Sequence, residues 1–225
     1  MIDDVSPYQG FPSKICRATL PFYGTGKALT KAKGKCYSMI DRGQRKPSDL
    51  YETPTSITQQ FLDAEQPNHL YRALHPAKGK GAMLRVLDKY YVEPVCAYDI
   101  EEGTDFLEEK RAFDYIIENP PYRFAYEFIQ KAKEVASYGF AFLLPLSYLH
   151  GQQRYENIWT DKKFPLAKIY VFTRYPMLGD PIREDGKYRT GMCVYAWFVW
   201  ARNWRPEHPE IHWIDNNRYV LKKGE

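Results

Sequence analysis

The sequence is poor in cysteine and contains no long apolar run. Its four cysteines include no Cys-x-x-Cys pair, and its five histidines show no spacing typical of metal ligands. Scattered cysteines are typical of reduced intracellular thiols rather than of a disulfide framework or a zinc site. No stretch approaches the about 18 apolar residues of a membrane helix, and no secretory signal pattern opens the chain. We therefore expect a soluble, cytoplasmic protein without a bound metal and without a membrane partner.

Net charge is also low, but the charge is distributed unevenly along the chain. The whole chain carries +4, whereas residues 1–50 contain nine Lys or Arg and four Asp, a net +5, so the remaining residues carry −1. A positive excess confined to an N-terminal arm favours a polyanionic partner, with Lys31, Lys33 and Lys35 as candidate nucleic-acid contacts. A solvated basic tail is the alternative.

Aromatic side chains, by contrast, are abundant. The 44% hydrophobic content suits one sizeable domain, and the 19 tyrosines and 5 tryptophans exceed what a core alone requires, which suggests stacking surfaces. We predict a basic arm over residues 1–46, a core domain over residues 47–204 and a C-terminal tail over residues 205–225.

The most informative stretch is residues 114–122, which read Asp-Tyr-Ile-Ile-Glu-Asn-Pro-Pro-Tyr. A buried strand must stop at the two prolines, and such strand ends carry the chemistry of α/β folds. Asn119 offers a side-chain carbonyl, Pro120 a backbone carbonyl and Tyr122 a ring for stacking. Together they suit a primary amine on an aromatic ring, such as that of adenine. The alternative is an ordinary break between a strand and a loop.

A second motif, His-Pro-Ala-Lys-Gly-Lys-Gly at residues 75–81, lies between a predicted strand and a predicted helix. Glycine lets the backbone approach a ligand, and the start of the helix supplies free N–H groups. The next predicted strand ends at Asp99, 20 residues after Gly79. A carboxylate at that strand end is placed to accept both hydroxyls of a ribose.

The region after Asp99 is too short for a complete parallel repeat. Only five residues separate Asp99 from Asp105, so residues 104–107 are expected to form a compressed loop or a very short edge strand. Asp105 either accepts from the exocyclic amine of a bound adenine or caps a helix. Upstream, Thr53 is predicted as the N-cap of a helix with Pro54 at its first position, ending before Pro67.

The remaining predicted elements are a strand at 70–74, helices at 82–90, 124–137 and 155–159, and strands at 95–99, 140–144, 168–172 and 194–200. A long segment between the last two strands carries Arg174, Arg183, Lys187 and Arg189, which we consider candidate nucleic-acid contacts. Residues from 202 onward show no readable pattern.

With these residues placed, residues 49–200 resemble the adenine-N6 DNA methyltransferases, particularly the small enzymes encoded by bacteriophages. The resemblance implies that the catalytic tetrad is Asn119, Pro120, Pro121 and Tyr122. It implies that S-adenosylmethionine is bound by Tyr51, Thr53, Pro54, His75, Pro76, Ala77, Gly79, Gly81, Asp99, Ile100, Asp105 and Phe106. His75 departs from the family, which usually has an acidic residue there, and no insertion is large enough to form a separate target-recognition domain.

The resemblance also implies the fold and the reaction. The expected fold is the α/β, Rossmann-like fold of class I methyltransferases, with a mostly parallel sheet, a trimmed edge and an antiparallel last strand. The implied substrate is double-stranded DNA, whose flipped adenine stacks on Tyr122 and receives the methyl group by direct in-line transfer. Alternatives are an RNA adenine methyltransferase, a protein-glutamine methyltransferase, which uses the same tetrad, and a catalytically degenerate binding protein. Either a monomer or a weak dimer is compatible with the sequence.

Overall fold

One seven-stranded sheet organises the chain in the computed structural model, which describes residues 52–175 and 194–216. In space the strand order is β2-β1-β3-β4-β6-β5-β7. In chain order the strands are β1 (Ala73–His75), β2 (Cys96–Ala97), β3 (Phe113–Glu118), β4 (Ala136–Pro145), β5 (Leu166–Phe172), β6 (Tyr195–Ala201) and β7 (Glu210–Ile214).

The sheet is mostly parallel. Strands β2, β1, β3 and β4 pair in parallel, and β5 pairs in parallel with β7. Among the described strands only β6 runs the other way, and it pairs with β4 on one side and β5 on the other. The expected Rossmann-like sheet, with an antiparallel strand near its end, is therefore confirmed.

Helices cover both faces of the sheet. Helices α1 (Thr55–Glu65) and α2 (Ala82–Tyr90) pack on one face, and α3 (Ala125–Val135) packs on the other. Side chains alternate along the strands, so that Ile116 and Phe198 belong to the core beside α3, while Ile117 and Trp197 belong to the core beside α1 and α2. Strands buried on both faces explain the continuous apolar runs in the sequence.

The trimmed edge of the sheet is also confirmed. Beyond β2 the chain forms two short 3-10 helices, Ile100–Glu102 and Phe106–Glu108, in place of a further strand. Among the predicted elements, the helix at 82–90 matches α2. The predicted helix at 155–159 is a π-helical turn, Tyr155–Trp159, that follows the short helix α4 (Gln152–Arg154). The predicted helix at 124–137 ends earlier, at Val135, because β4 begins at Ala136.

One expectation about the start of α1 was wrong. Thr53 is not the N-cap of α1, because that position belongs to Pro54 and the helix begins at Thr55. The carbonyl of Pro54 accepts the N–H of Ile57, so the first turn closes one residue later than predicted. In the stretch from residue 202 onward, where the sequence shows no readable pattern, β7 adds a strand beside β5.

Several predicted residues lie outside the described part of the chain. They are the arm with Lys31, Lys33 and Lys35, the position of Tyr51, and the segment with Arg183, Lys187 and Arg189. Their roles and the proposed domain boundaries stay predictions.

Candidate active site

The predicted site residues meet at one edge of the sheet. Since β1, β2 and β3 are parallel neighbours, their carboxyl ends lie side by side. His75 is the last residue of β1, Asp99 follows β2 by two residues, and Asn119 directly follows β3. The structure thus brings together the glycine loop, the carboxylate of Asp99 and the Asn-Pro-Pro-Tyr turn.

The carboxylate of Asp99 is held against the glycine loop. Its Oδ2 accepts the N–H of Gly79 at 2.9 Å, and its Oδ1 accepts the N–H of Glu101 at 3.0 Å. Gly79 and Gly81 have φ angles of 51° and 81°, a region that favours glycine, and α2 begins at the next residue. Each oxygen of Asp99 retains further acceptor capacity, since a carboxylate offers about four lone-pair sites.

A second connection joins the same loop to the residues after β2. The backbone N–H of Lys78 donates to the carbonyl of Tyr98 at 3.1 Å. The side chain of Lys78 forms an ion pair of 2.7 Å with Glu102. The glycine loop therefore packs against the residues that follow β2, and Asp99 lies between these two contacts in the sequence.

Asp105 and Phe106 have structural contacts of their own. The Oδ1 of Asp105 accepts the N–H of Leu107 at 2.9 Å and caps the second 3-10 helix. The ring of Phe106 is buried in the core, 5.0 Å from the ring of Phe128. Ile100, in contrast, is exposed. The cofactor contacts implied for these three residues stay predictions.

Asn119 is oriented by the segment before α1. Its Nδ2 donates to Oγ1 of the buried Thr53 at 2.9 Å. Its Oδ1 is buried and has no hydrogen-bond partner in the structure. Buried polar atoms in proteins usually have a hydrogen-bond partner, so this oxygen is available to accept a hydrogen bond from a ligand.

Tyr122 belongs to a stack of three tyrosine rings. The rings of Tyr122 and Tyr195 lie 5.7 Å apart at 30°, and those of Tyr195 and Tyr175 lie 4.5 Å apart at 38°. Tyr175 and Tyr195 flank residues 176–193 in the sequence, so the described residues on either side of that segment lie beside the Asn-Pro-Pro-Tyr turn. Arg174, which precedes Tyr175, is exposed, and its backbone N–H donates to Oδ1 of Asn216 at 2.9 Å.

Glu118, the residue before Asn119, was not among the predicted site residues. Its Oε2 accepts the N–H of Ala77 at 2.8 Å and lies 2.8 Å from Nδ1 of His75. Its Oε1 accepts the N–H of Asn119 at 2.8 Å. One carboxylate therefore joins the glycine loop to the Asn-Pro-Pro-Tyr turn. An acid at the end of an otherwise apolar, buried strand was the sequence signal for it.

A second missed cluster supports the end of β2. Glu109 accepts from the guanidinium of Arg111 at 2.7 Å and from the hydroxyl of Tyr98 at 2.9 Å. The hydrogen bonds from Arg111 lower the pKa of Glu109 to about 2, despite its burial. Burial, together with the bond to Glu109, raises the pKa of Tyr98.

Within residues 52–175 and 194–216, no three His, Cys, Asp or Glu side chains are grouped so that they could hold a metal ion. In the same residues, no helix has the length and apolar character needed to cross a membrane.

The sequence matches no protein-family model and no curated protein sequence. Solved structures do resemble this one. The modification subunit of a putative type I restriction enzyme from Vibrio vulnificus YJ016 has 13% identity and a TM-score of 0.51, over 77% of this chain and 49% of that chain. A methyltransferase subunit of a type I restriction-modification system from Streptococcus thermophilus has 13% identity and a TM-score of 0.50, over 77% of this chain and 48% of that chain.

The chain thus spans about half the length of these two structures. At 13% identity the likeness establishes the fold, which is the Rossmann-like fold of class I methyltransferases.

Proposed function

We propose that this protein is a phage-type, S-adenosylmethionine-dependent methyltransferase that methylates the exocyclic amine of adenine in double-stranded DNA in the cytoplasm. The observation that carries the proposal is the buried, unpartnered Oδ1 of Asn119, which Thr53 holds in place directly after β3. An acceptor of this kind suits an N–H donor on the substrate. The two similar structures, which are named as modification and methyltransferase subunits, support the same reaction class.

S-adenosylmethionine fits the residues at the adjacent strand ends. The glycine loop has backbone conformations that bring the chain close to a ligand, and the start of α2 offers free N–H groups. Asp99 retains acceptor capacity for the ribose hydroxyls. When bound, the cofactor supplies an electrophilic methyl group on a sulfonium sulfur. By the resemblance, Tyr51, Thr53 and Pro54 would hold the methionine end of the cofactor, and Asp105 and Phe106 would hold its adenine.

The Asn-Pro-Pro-Tyr turn then acts on the substrate amine. Asn119 Oδ1 accepts a hydrogen bond from one N–H of the amine, and the Pro120 carbonyl accepts a hydrogen bond from the other. Holding both hydrogens withdraws the nitrogen lone pair from the aromatic ring and makes it nucleophilic. The ring of Tyr122, supported by Tyr195, carries the extruded base. Positioning of the amine and stabilisation of its developing positive charge supply most of the acceleration.

DNA is the proposed polymer because of charge and because of the location of the tyrosine stack. The basic arm with Lys31, Lys33 and Lys35 is suited to phosphate contacts. Tyr175 and Tyr195, which flank the segment bearing Arg183, Lys187 and Arg189 in the sequence, form a ring cluster with Tyr122, and this supports a role of the segment in DNA contact. Arginine is the usual bidentate reader of guanine.

In the decisive experiment, the protein and S-adenosylmethionine labelled in its methyl group are incubated with one substrate at a time. The substrates are duplex DNA, RNA and a glutamine-containing release-factor protein. We expect label in DNA, recovered as N6-methyladenine after digestion. Asn119→Ala should abolish the transfer, whereas the matched control Asn157→Ala, at an exposed helical position, should retain it. Label in RNA or protein alone would replace the proposed substrate. Absence of label from all three would exclude the proposed activity.

A further inference from the structure

The side chain of Asn216 joins the chain after β7 to the chain after β5. The ladder between the two strands ends at the pair Phe172 and Ile214. Beyond that pair, Oδ1 of Asn216 accepts the backbone N–H of Arg174 at 2.9 Å, and Nδ2 donates to the carbonyl of the same residue. Both ends of the amide therefore bond to one residue, which lies 42 positions earlier in the sequence.

The hydroxyl of Thr173 adds to this contact. Its Oγ1 donates to Oδ1 of Asn216 at 3.1 Å and accepts the backbone N–H of Asn216 at 3.3 Å. Asn216 is only 9% exposed, and a buried amide that lost these partners would carry the cost of unpaired polar atoms. The bonds therefore hold residues 173 and 174 in one backbone conformation where the chain leaves the sheet.

The next residue, Tyr175, is the first ring of the tyrosine stack. Tyr175 is buried, and its ring lies 5.7 Å from that of Phe172 and 4.5 Å from that of Tyr195. The ring of Tyr195 lies 5.7 Å from that of Tyr122. A continuous series of contacts thus connects Asn216 with the Asn-Pro-Pro-Tyr turn.

From these contacts, we propose that Asn216 is a positioning residue for methyl transfer to DNA. It fixes the backbone that precedes Tyr175, so that Tyr175 and Tyr195 support the ring of Tyr122, which carries the extruded base. The end of β7 thereby takes part in presenting the substrate. This inference rests on the proposed function and concerns the platform for the base, not the cofactor.

The location of Asn216 separates this role from general support of the sheet. Strands β5 and β7 already pair over five residues, and Asn216 and the residues that it binds lie beyond those pairs. Three strands, β3, β4 and β6, separate β5 from β1, whose end leads into the glycine loop. Loss of the Asn216 side chain should therefore disturb presentation of the base and leave cofactor binding intact.

The test is a double-mutant cycle on methyl transfer from labelled S-adenosylmethionine to unmethylated genomic duplex DNA. We expect Asn216→Ala to lower kcat/KM for DNA about 5-fold and to leave the affinity for S-adenosylhomocysteine, measured by calorimetry, unchanged. In a Tyr195→Ala background, where the stack is already broken, Asn216→Ala should cause no further loss. Two residues that act through the same ring contacts have effects that do not add.

Two further variants and a control complete the set. Thr173→Val removes the hydroxyl that bonds to Asn216 and should lower kcat/KM for DNA in the same way. Thr173→Ser keeps the hydroxyl and should restore the wild-type value. The matched control Asn203→Ala, in the exposed turn after β6, should leave both transfer and cofactor affinity unchanged.

Independent effects of Asn216→Ala and Tyr195→Ala, which multiply in the double variant, would overturn the inference and leave Asn216 a structural role. Wild-type kinetics in Asn216→Ala, or an equal loss of S-adenosylhomocysteine affinity, would overturn it as well. Thermal unfolding midpoints identify an Asn216→Ala protein that fails to fold, in which case Thr173→Val decides in the same cycle. If the wild type transfers no methyl group to DNA, the proposed function fails; if it does and the effects are independent, only the role of Asn216 fails.

Discussion

Thr53 Oγ1 accepts the side-chain N–H of Asn119 at 2.9 Å, although 66 positions separate the two residues. Thr53 lies just before α1, and Asn119 lies at the end of β3. The bond uses the donor side of the amide and leaves the acceptor side, Oδ1, buried without a partner. The contact with Thr53 thus determines which side of the Asn119 amide is available to a ligand.

Thr53→Val should therefore lower the rate of methyl transfer. The change removes the hydroxyl while nearly conserving volume, so the amide of Asn119 loses its fixed orientation. Loss of a net hydrogen bond of about 1 kcal/mol predicts a roughly 5-fold lower kcat. Thr53→Ser, which keeps the hydroxyl, should behave like wild type. Steady-state kinetics decide between two roles, because a raised KM for S-adenosylmethionine with an unchanged kcat would make Thr53 a cofactor residue instead.

Asp99→Ala should weaken cofactor binding more than it destabilises the fold. Hydrogen bonds to a charged acceptor contribute about 1.5–3 kcal/mol, so calorimetry with S-adenosylhomocysteine should show a roughly 10- to 150-fold loss of affinity. Some loss of stability is also expected, because Asp99 holds Gly79 and caps the first 3-10 helix.

The control for Asp99 is Asp161→Ala, which also removes a carboxylate that caps backbone N–H groups, but beside Lys133 rather than in the site. It should lower the unfolding midpoint and leave cofactor affinity intact. Identical dissociation constants for wild type and Asp99→Ala would disprove the ribose assignment.

The features that could be predicted from the sequence are those whose signals lie close together along the chain. The bounds of α2 were predictable because a glycine, Gly81, lies directly before the helix and the apolar spacing continues to Tyr90. In the structure Gly81 adopts the positive φ that favours glycine. The position of Asp99 at the end of β2 was predictable because strand, loop and carboxylate follow one another within a short stretch. Both signals lie within the residues that form the feature.

What the sequence did not reveal comes from distant or exposed contacts. The bond of Thr53 to Asn119 competes with helix capping, and only the folded chain brings the two side chains together. Glu118 was read as part of a strand because its partners lie 41 and 43 positions earlier. Strand β7 was not predicted. Its Trp213 is exposed, which conflicts with the pattern expected of a strand that packs its apolar residues against the core.

Tyr195→Ala should impair catalysis on DNA through Tyr122. The ring of Tyr195 supports that of Tyr122 at 5.7 Å, and aromatic pairs contribute about 0.5–1.5 kcal/mol beyond their buried area. We expect a 2- to 10-fold lower kcat/KM for DNA with unchanged affinity for S-adenosylhomocysteine, and recovery of most of the activity in Tyr195→Phe. Equal activity of the alanine variant and wild type would remove the stack from the proposed base platform.

Glu109 gives the fold a dependence on acid. Its side chain accepts hydrogen bonds from Arg111 and Tyr98, and those from Arg111 lower its pKa from the ordinary 4.5 to about 2. A carboxyl whose pKa is lower in the folded state stabilises that state fully above its unfolded pKa. The contribution is then lost as the pH falls from about 4.5 through about 2.

Glu109→Gln should accordingly lower the free energy of unfolding at pH 7 by about 1.5–3 kcal/mol, the usual contribution of hydrogen bonds to a charged group. The difference from wild type should shrink below pH 4.5 and become small near pH 2, where the carboxyl of Glu109 begins to be protonated in the folded state as well. Urea unfolding at a series of pH values measures it. Glu108→Gln, at the exposed neighbouring position, removes the same formal charge and should follow the wild-type curve. A difference between wild type and Glu109→Gln that stays constant from pH 7 to pH 2 would mean that the ionised carboxylate does not stabilise the fold, and that Tyr98 and Arg111 are held at the end of β2 by packing alone.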